Sequence, residues 1–105
     1  MDVISSYIGG QDVASAETFD NIDPATGQSL GGVSRGGTEE VDRAVTVGAA
    51  AQRDWVRSTP EERSDLLTAW AALVARDAEE LARLESEDTG KPISQARTDS
   101  AVAAR

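Results

Sequence analysis

Apolar positions along the chain change their period once. Up to residue 37 they come in short pairs broken by glycine and turn residues; from Thr38 onward they recur every three to four positions. The first pattern predicts strands and turns, the second predicts helices. Ser6-Tyr7-Ile8 and Gln11-Asp12-Val13 flank Gly9-Gly10, a two-residue hairpin signal, because a type I′ turn needs positive φ at both central residues. Thr18-Phe19 leads into Asn21-Ile22-Asp23-Pro24, where Asp before Pro suits an Asx turn and an extended backbone; Gly27 ends that turn. Ser29-Leu30 and Val33-Ser34 predict a second short strand region, interrupted by Gly31-Gly32 as a bulge.

Four helices follow. The first opens at Thr38 and carries Val41, Ala44, Val45, Gly48, Gln52 and Trp55 on one stripe. The second has Thr59 as N-cap, Pro60 at N1 and Glu62 at N3, a capping box ahead of the apolar face Leu66, Leu67, Trp70, Leu73 and Val74. The third, over 77–89, reads as a further capping box, Asp77 with Glu80, and places Leu81 and Leu84 on its apolar side. Gly90 is its left-handed stop. Pro92 is read as N1 of the fourth helix, which runs to Arg105 with Ile93, Ala96, Ala101 and Ala104 on one side and no stop signal. That ending predicts an element cut before it was finished. Trp55 and Trp70 sit on apolar stripes and are expected in the core.

Composition changes this picture in one respect. Apolar residues make up 39% of 105, but 17 are alanine; Leu, Ile, Val and Phe number 20, just under a fifth. A chain this short buries only about 60–65% of its unfolded surface. The expectation is a thin, alanine-rich core that needs a partner surface. There is no Cys and no His, so a thiolate nucleophile, Cys-ligated zinc and an imidazole base are excluded within this chain. A net charge of −9 argues against nucleic acid and against anionic membranes. No apolar run approaches a membrane span and no signal peptide is visible, which points to a cytoplasmic protein.

Little else in the residues points to chemistry. Thr89-Gly90-Lys91 is not a phosphate loop, because Glu85 and Pro92 stand where Gly and Ser/Thr are required. No G-x-G-x-x-G occurs. The doublets Glu39/Glu40, Glu61/Glu62 and Glu79/Glu80 each fall in a helix first turn, where negative charge complements the macrodipole. Asp88 differs: it lies at a helix C-terminus, the unfavourable end, so something must offset it, with Lys91 the ordinary candidate.

Glu85-Ser86-Glu87-Asp88-Thr89-Gly90-Lys91-Pro92 resembles the E-x-x-D-x-G-K-P signature near the N-terminus of NAD(P)-dependent aldehyde dehydrogenases. Tyr7-Ile8-Gly9-Gly10-Gln11 resembles that family's opening hairpin, Ile22-Asp23-Pro24-Ala25-Thr26-Gly27 its N-P-A-T-G turn, and Ser58-Thr59-Pro60-Glu61-Glu62-Arg63 its S-P-x-E-R helix start. Four stretches in order and spacing cover roughly residues 7 to 105. The resemblance implies an α/β fold, with this chain as the N-terminal part of one coenzyme-binding domain: strands and turns over 1–37, about four helices over 38–105. It implies oxidation of an aldehyde to a carboxylic acid with NAD or NADP, through a Cys thioester hydrolysed by Glu-activated water. The catalytic and cofactor-contact residues of that chemistry fall beyond position 105, so none is assigned here and the chain alone is expected to be inactive and to bind no cofactor.

Family members often hold K⁺ or Na⁺ inside the subunit, and carrying the ligands over residue by residue implicates Asp88 with the backbone carbonyls of Asn21 and Ile22. Asp23 stands where the family usually has Asn. The implied partners are the remainder of the subunit and further copies of it in a homo-oligomer. Two other classes stay open: a stand-alone acidic helical module that binds a protein through its Leu66/Trp70 face, and a non-functional truncated product.

Overall fold

A computed structural model describes residues 3–105. The elements run β1 (Val3–Ile4), β2 (Ser6–Ile8), β3 (Gln11–Val13), β4 (Thr18–Ile22), β5 (Ser29–Ser34), α1 (Thr38–Trp55), α2 (Pro60–Arg76), α3 (Ala78–Thr89) and α4 (Ile93–Ala103). They form two units. One takes Ser29–Ser58 with the described residues up to Ile22; the other takes Asp23–Gln28 with Thr59–Arg105.

In the first unit β2 and β3 form the expected hairpin, Ser6 opposite Val13 and Ile8 opposite Gln11. Gly9 and Gly10 have φ of 62° and 79°, as a type I′ turn requires. Gly9 is needed twice over, because a Cβ there would meet Val47 Cγ1 of α1 at 3.1 Å. Ile8 is buried at this point. β4 pairs antiparallel with β5, and the register slips so that Asn21 faces Gly31 while Ile22 faces Ser29. Leu30 is therefore the extra residue of a bulge, and Gly31 beside it has φ of 129°. A bulge is present, but at Leu30: Gly31 and Gly32, where it was expected, pair with Asn21 and Asp20, and the strand continues as a single six-residue element.

β1 adds a parallel edge, Val3 opposite Gly32. Two residues are too short to show any period, so this strand could not be read from the sequence. α1 spans the predicted residues and starts with the Gly37 amide donating to the Glu40 carboxylate at 2.8 Å. That contact holds the Glu40 carboxyl below the usual range.

In the second unit α2 has the predicted box. The Glu62 amide donates to Thr59 Oγ1 (3.1 Å) and the Thr59 amide donates to the Glu62 carboxylate (2.8 Å). The box expected at Asp77 does not form. Asp77 has φ −98° and ψ 12°, close to helical, whereas an N-cap side chain reaches the N3 amide only from an extended backbone. The Leu81 amide donates to the Asp77 carbonyl and the Asp77 amide to the Leu73 carbonyl, so α2 runs almost directly into α3. The Asp77 carboxylate turns to Arg76 (2.7 Å) and Glu80 to Arg83 (2.6 Å).

At the next junction Pro92 is the N-cap, not N1: its ψ of 134° is extended, and its carbonyl accepts from the Gln95 and Ala96 amides. α4 ends at Ala103. Its buried positions are Ala96 and Ser100, one turn apart; of the predicted row Ile93, Ala96, Ala101 and Ala104 only Ala96 is buried, and Ile93 and Ala101 are exposed.

The core is as thin as composition suggests. Among the described residues Ile8 in the first unit and Ala82 and Ala96 in the second are the buried apolar side chains, and Ser34 and Ser100 are the buried polar ones. The two tryptophans depart from expectation. Trp70 is 64% exposed and Trp55 38%. Both stripes have helical period, but among the described residues no layer of the same unit covers the α2 stripe, and Leu66, Leu67 and Leu73 are exposed with Trp70.

Candidate functional site

The α3–α4 junction of the second unit is densely hydrogen-bonded, and it is built from the E-x-x-D-x-G-K-P stretch. Gly90 adopts φ 75° and ψ 9°, and its amide donates to the Ser86 carbonyl at 3.0 Å, which ends α3. The Ser86 hydroxyl donates across the turn to the Lys91 carbonyl at 2.7 Å. Thr89 Oγ1 donates back to the Glu85 carbonyl (2.7 Å) and accepts from the Lys91 amide (3.3 Å). Pro24 packs against Gly90 so closely that a Cβ on Gly90 would lie 3.0 Å from its ring.

Charge reinforces the turn. Lys91 Nζ donates to Asp99 of α4 at 2.6 Å and also to Glu85 of α3. The Asp99 bond, then the Glu85 bond, hold the Lys91 ammonium above its usual range. Arg97 forks onto Glu79 at 2.7 and 3.0 Å, tying α4 to the start of α3 and holding the Glu79 carboxyl low. Arg83 bridges Glu80 and Glu87 along one side of α3. Glu85 and Glu87 thus serve different faces, as their spacing predicts. Asp99 and the Arg97–Glu79 pair were not legible in the sequence, because pairs across a helix junction follow no fixed spacing.

The cation-ligand candidates fall in different units. Asn21 and Ile22 close β4 at the bulge, Asn21 half-buried and Ile22 exposed. Asp88 is exposed in the last turn of α3. The ammonium that the sequence offered to Asp88 is taken by Glu85 and Asp99. Among the described residues no group of three His, Cys, Asp or Glu side chains could hold a metal ion. The Asp23 substitution leaves the turn intact: Asp23 Oδ1 accepts from the Ala25 amide at 2.7 Å, and Gly27 closes the turn at φ 73°.

A family model for the aldehyde dehydrogenase family matches residues 11–105. The chain belongs to the aldehyde dehydrogenase family. Its mixed α/β architecture is that of the aldehyde dehydrogenase fold: HpcC of Thermus thermophilus superposes with a TM-score of 0.95 at 38% identity, over 98% of this chain and 20% of that one. Succinate-semialdehyde dehydrogenase of Burkholderia pseudomallei gives 0.92 at 38% identity, over 96% of this chain and 21% of its own. An NAD-dependent aldehyde dehydrogenase of Sinorhizobium meliloti gives 0.86 at 32%, over 98% and 22%. The chain spans about a fifth of the length of these aldehyde dehydrogenases. The aldehyde dehydrogenase signature at residues 85–92 is, in physical terms, a helix stop, a charge clasp and a helix start.

Proposed function

We propose that this chain is the N-terminal part of the coenzyme-binding domain of an aldehyde dehydrogenase subunit, and that its role is structural within that enzyme. The observation that carries the reading is the folded signature: Glu85, Gly90, Lys91 and Pro92 each have a distinct task in one turn, within a chain that superposes over 96–98% of its length on relatives 38% identical. In the complete enzyme a Cys thiolate supplied elsewhere attacks the aldehyde, a Glu-activated water hydrolyses the thioester, and the product is the carboxylic acid. The NAD or NADP coenzyme accepts the hydride. Without Cys or His this chain performs none of those steps. Its own contribution is to form the β2–β3 hairpin and the helices that flank the coenzyme fold, and to offer Asp88, with the Asn21 and Ile22 carbonyls, to K⁺ or Na⁺. We assign the complete enzyme to the cytoplasm as a homo-oligomer.

The alternative of a stand-alone binding module draws on the exposed Leu66/Trp70 face. A chimera separates the two. Residues 11–105 replace their counterpart in the Burkholderia succinate-semialdehyde dehydrogenase, and NAD(P)H formation is followed at saturating aldehyde. Turnover close to the parent supports the proposal; a soluble chimera without turnover contradicts it.

A further inference from the structure

We infer that this fold is built for concentrated salt: at low ionic strength the chain's own charge opposes the compact state, and added ions restore it. The side chains of Asp and Glu number 19 against 10 of Lys and Arg, and the net charge is −9. Folding brings those charges closer together than the open chain holds them, so the surplus pushes the compact state apart. The structure gives the surplus no shelter, since Asp12, Asp20, Asp42, Asp54 and Asp65 are all exposed. α3 concentrates it, with five carboxylates and one arginine in its 12 residues, and like charges one turn apart disfavour a helix.

Two attractions could offset the repulsion, and neither is strong here. The described ion pairs centre on Arg76, Arg83, Lys91 and Arg97, and their side chains are 27–69% exposed, where such pairs contribute little. Salt weakens these pairs too. Yet matching all 10 bases with an acid each still leaves 9 of the 19 carboxylates to repel, so relief of repulsion is the larger effect. Burial is scant as well. Among the described residues no large side chain is fully buried, and the buried apolar positions of α3 and α4 are Ala82 and Ala96. Alanine removes little area from water, so these two helices hold a small apolar reserve against their own charge.

Thermal unfolding of the 105-residue chain, followed by far-UV circular dichroism, tests this in NaCl and in tetramethylammonium chloride, whose cation is too bulky for a cage of oxygens. From about 0.1 M to about 2 M salt the screening length falls from about 10 Å to under about 3 Å. The midpoint should rise by roughly 10 °C over that range, and by similar amounts in the two salts. A bound cation saturates early, whereas screening goes on developing as ionic strength rises. A variant carrying Asp12→Asn, Asp42→Asn, Asp54→Asn and Asp65→Asn removes exposed charges and touches none of the described ion pairs. It should melt higher than the parent chain at low salt and respond less to added salt. A chain with little helix at low salt that gains helix on titration supports the inference equally. A midpoint that stays or falls overturns it, and so does a rise confined to NaCl, which would mark a coordinated cation. A variant no more stable than the parent at low salt overturns it as well.

Discussion

Replacing Gly90 by alanine separates two demands that the α3–α4 turn places on one residue. The left-handed backbone at φ 75° costs a non-glycine residue about 1–2 kcal/mol. The added Cβ would also stand 3.0 Å from Pro24 Cγ, against an ordinary carbon–carbon contact of about 3.5–4.0 Å. The Pro24 ring cannot rotate away, so the overlap is relieved only by backbone movement, typically about 1–3 kcal/mol. The total expected loss is about 2–5 kcal/mol. Gly27 is the internal control: it has φ 73° and nothing within 4 Å of a would-be Cβ, so Gly27→Ala carries the backbone strain alone, about 1–2 kcal/mol. The assay is urea unfolding by far-UV circular dichroism, with amide exchange read in α3 and α4. Pro24→Ala combined with Gly90→Ala should recover the steric part of the loss and keep the backbone part. If Gly90→Ala is no more harmful than Gly27→Ala, or if removing the Pro24 ring recovers nothing, the close packing of the turn on α3 is refuted.

Thr59→Ala should destabilise α2 by about 1 kcal/mol through loss of its cap, read as a lower urea midpoint, whereas Asp77→Ala, which removes a carboxylate that does not cap, should change the midpoint far less. Glu40, Asp77, Glu79 and Glu80 all have carboxyls held low in the folded chain, so their contribution is present above their unfolded values near pH 4 and fades as pH falls through the folded ones. Lys91 is held high, so its contribution is complete below about pH 10 and is lost only above it. A pH titration of helicity should therefore show a plateau at neutral pH, an acid limb and a far-alkaline limb. Asp88→Ala in a complete enzyme should abolish any rise in melting temperature on adding K⁺ and leave turnover intact; a wild type with no K⁺ response removes the cation assignment. The isolated chain titrated with NAD⁺ in a calorimeter should give no saturable heat, and micromolar binding would overturn the assignment of all coenzyme contacts to residues outside it.

Local chemistry was legible where one residue type has one physical use. Gly9-Gly10, Asp23-Pro24, Thr59-Pro60-Glu61-Glu62 and Gly90 announced a hairpin, a turn, a cap and a helix stop, and each is found in its place. Asp77 misled because the same side chain serves a box after an extended residue and a salt bridge within a continuous helix, and only the backbone angle decides. The fate of Trp55 and Trp70 was not legible, since periodicity says which side of a helix is apolar and not what covers it. At the α3–α4 junction the sequence marked Gly90 as the helix stop and offered Lys91 as the ordinary partner of Asp88. It missed Asp99 because the partner of Lys91 lies eight positions away across a turn whose angle is set by Gly90 and Pro24 together.

The central claim is that these residues work as one part of an aldehyde dehydrogenase subunit, and the sequence of the transcript downstream of codon 105 tests it most directly. The relative of which this chain is 20% leaves 80% to be supplied, so the account predicts an open frame continuing for about four times the present length and encoding the cysteine that this chain lacks. An in-frame stop immediately after codon 105 would contradict it.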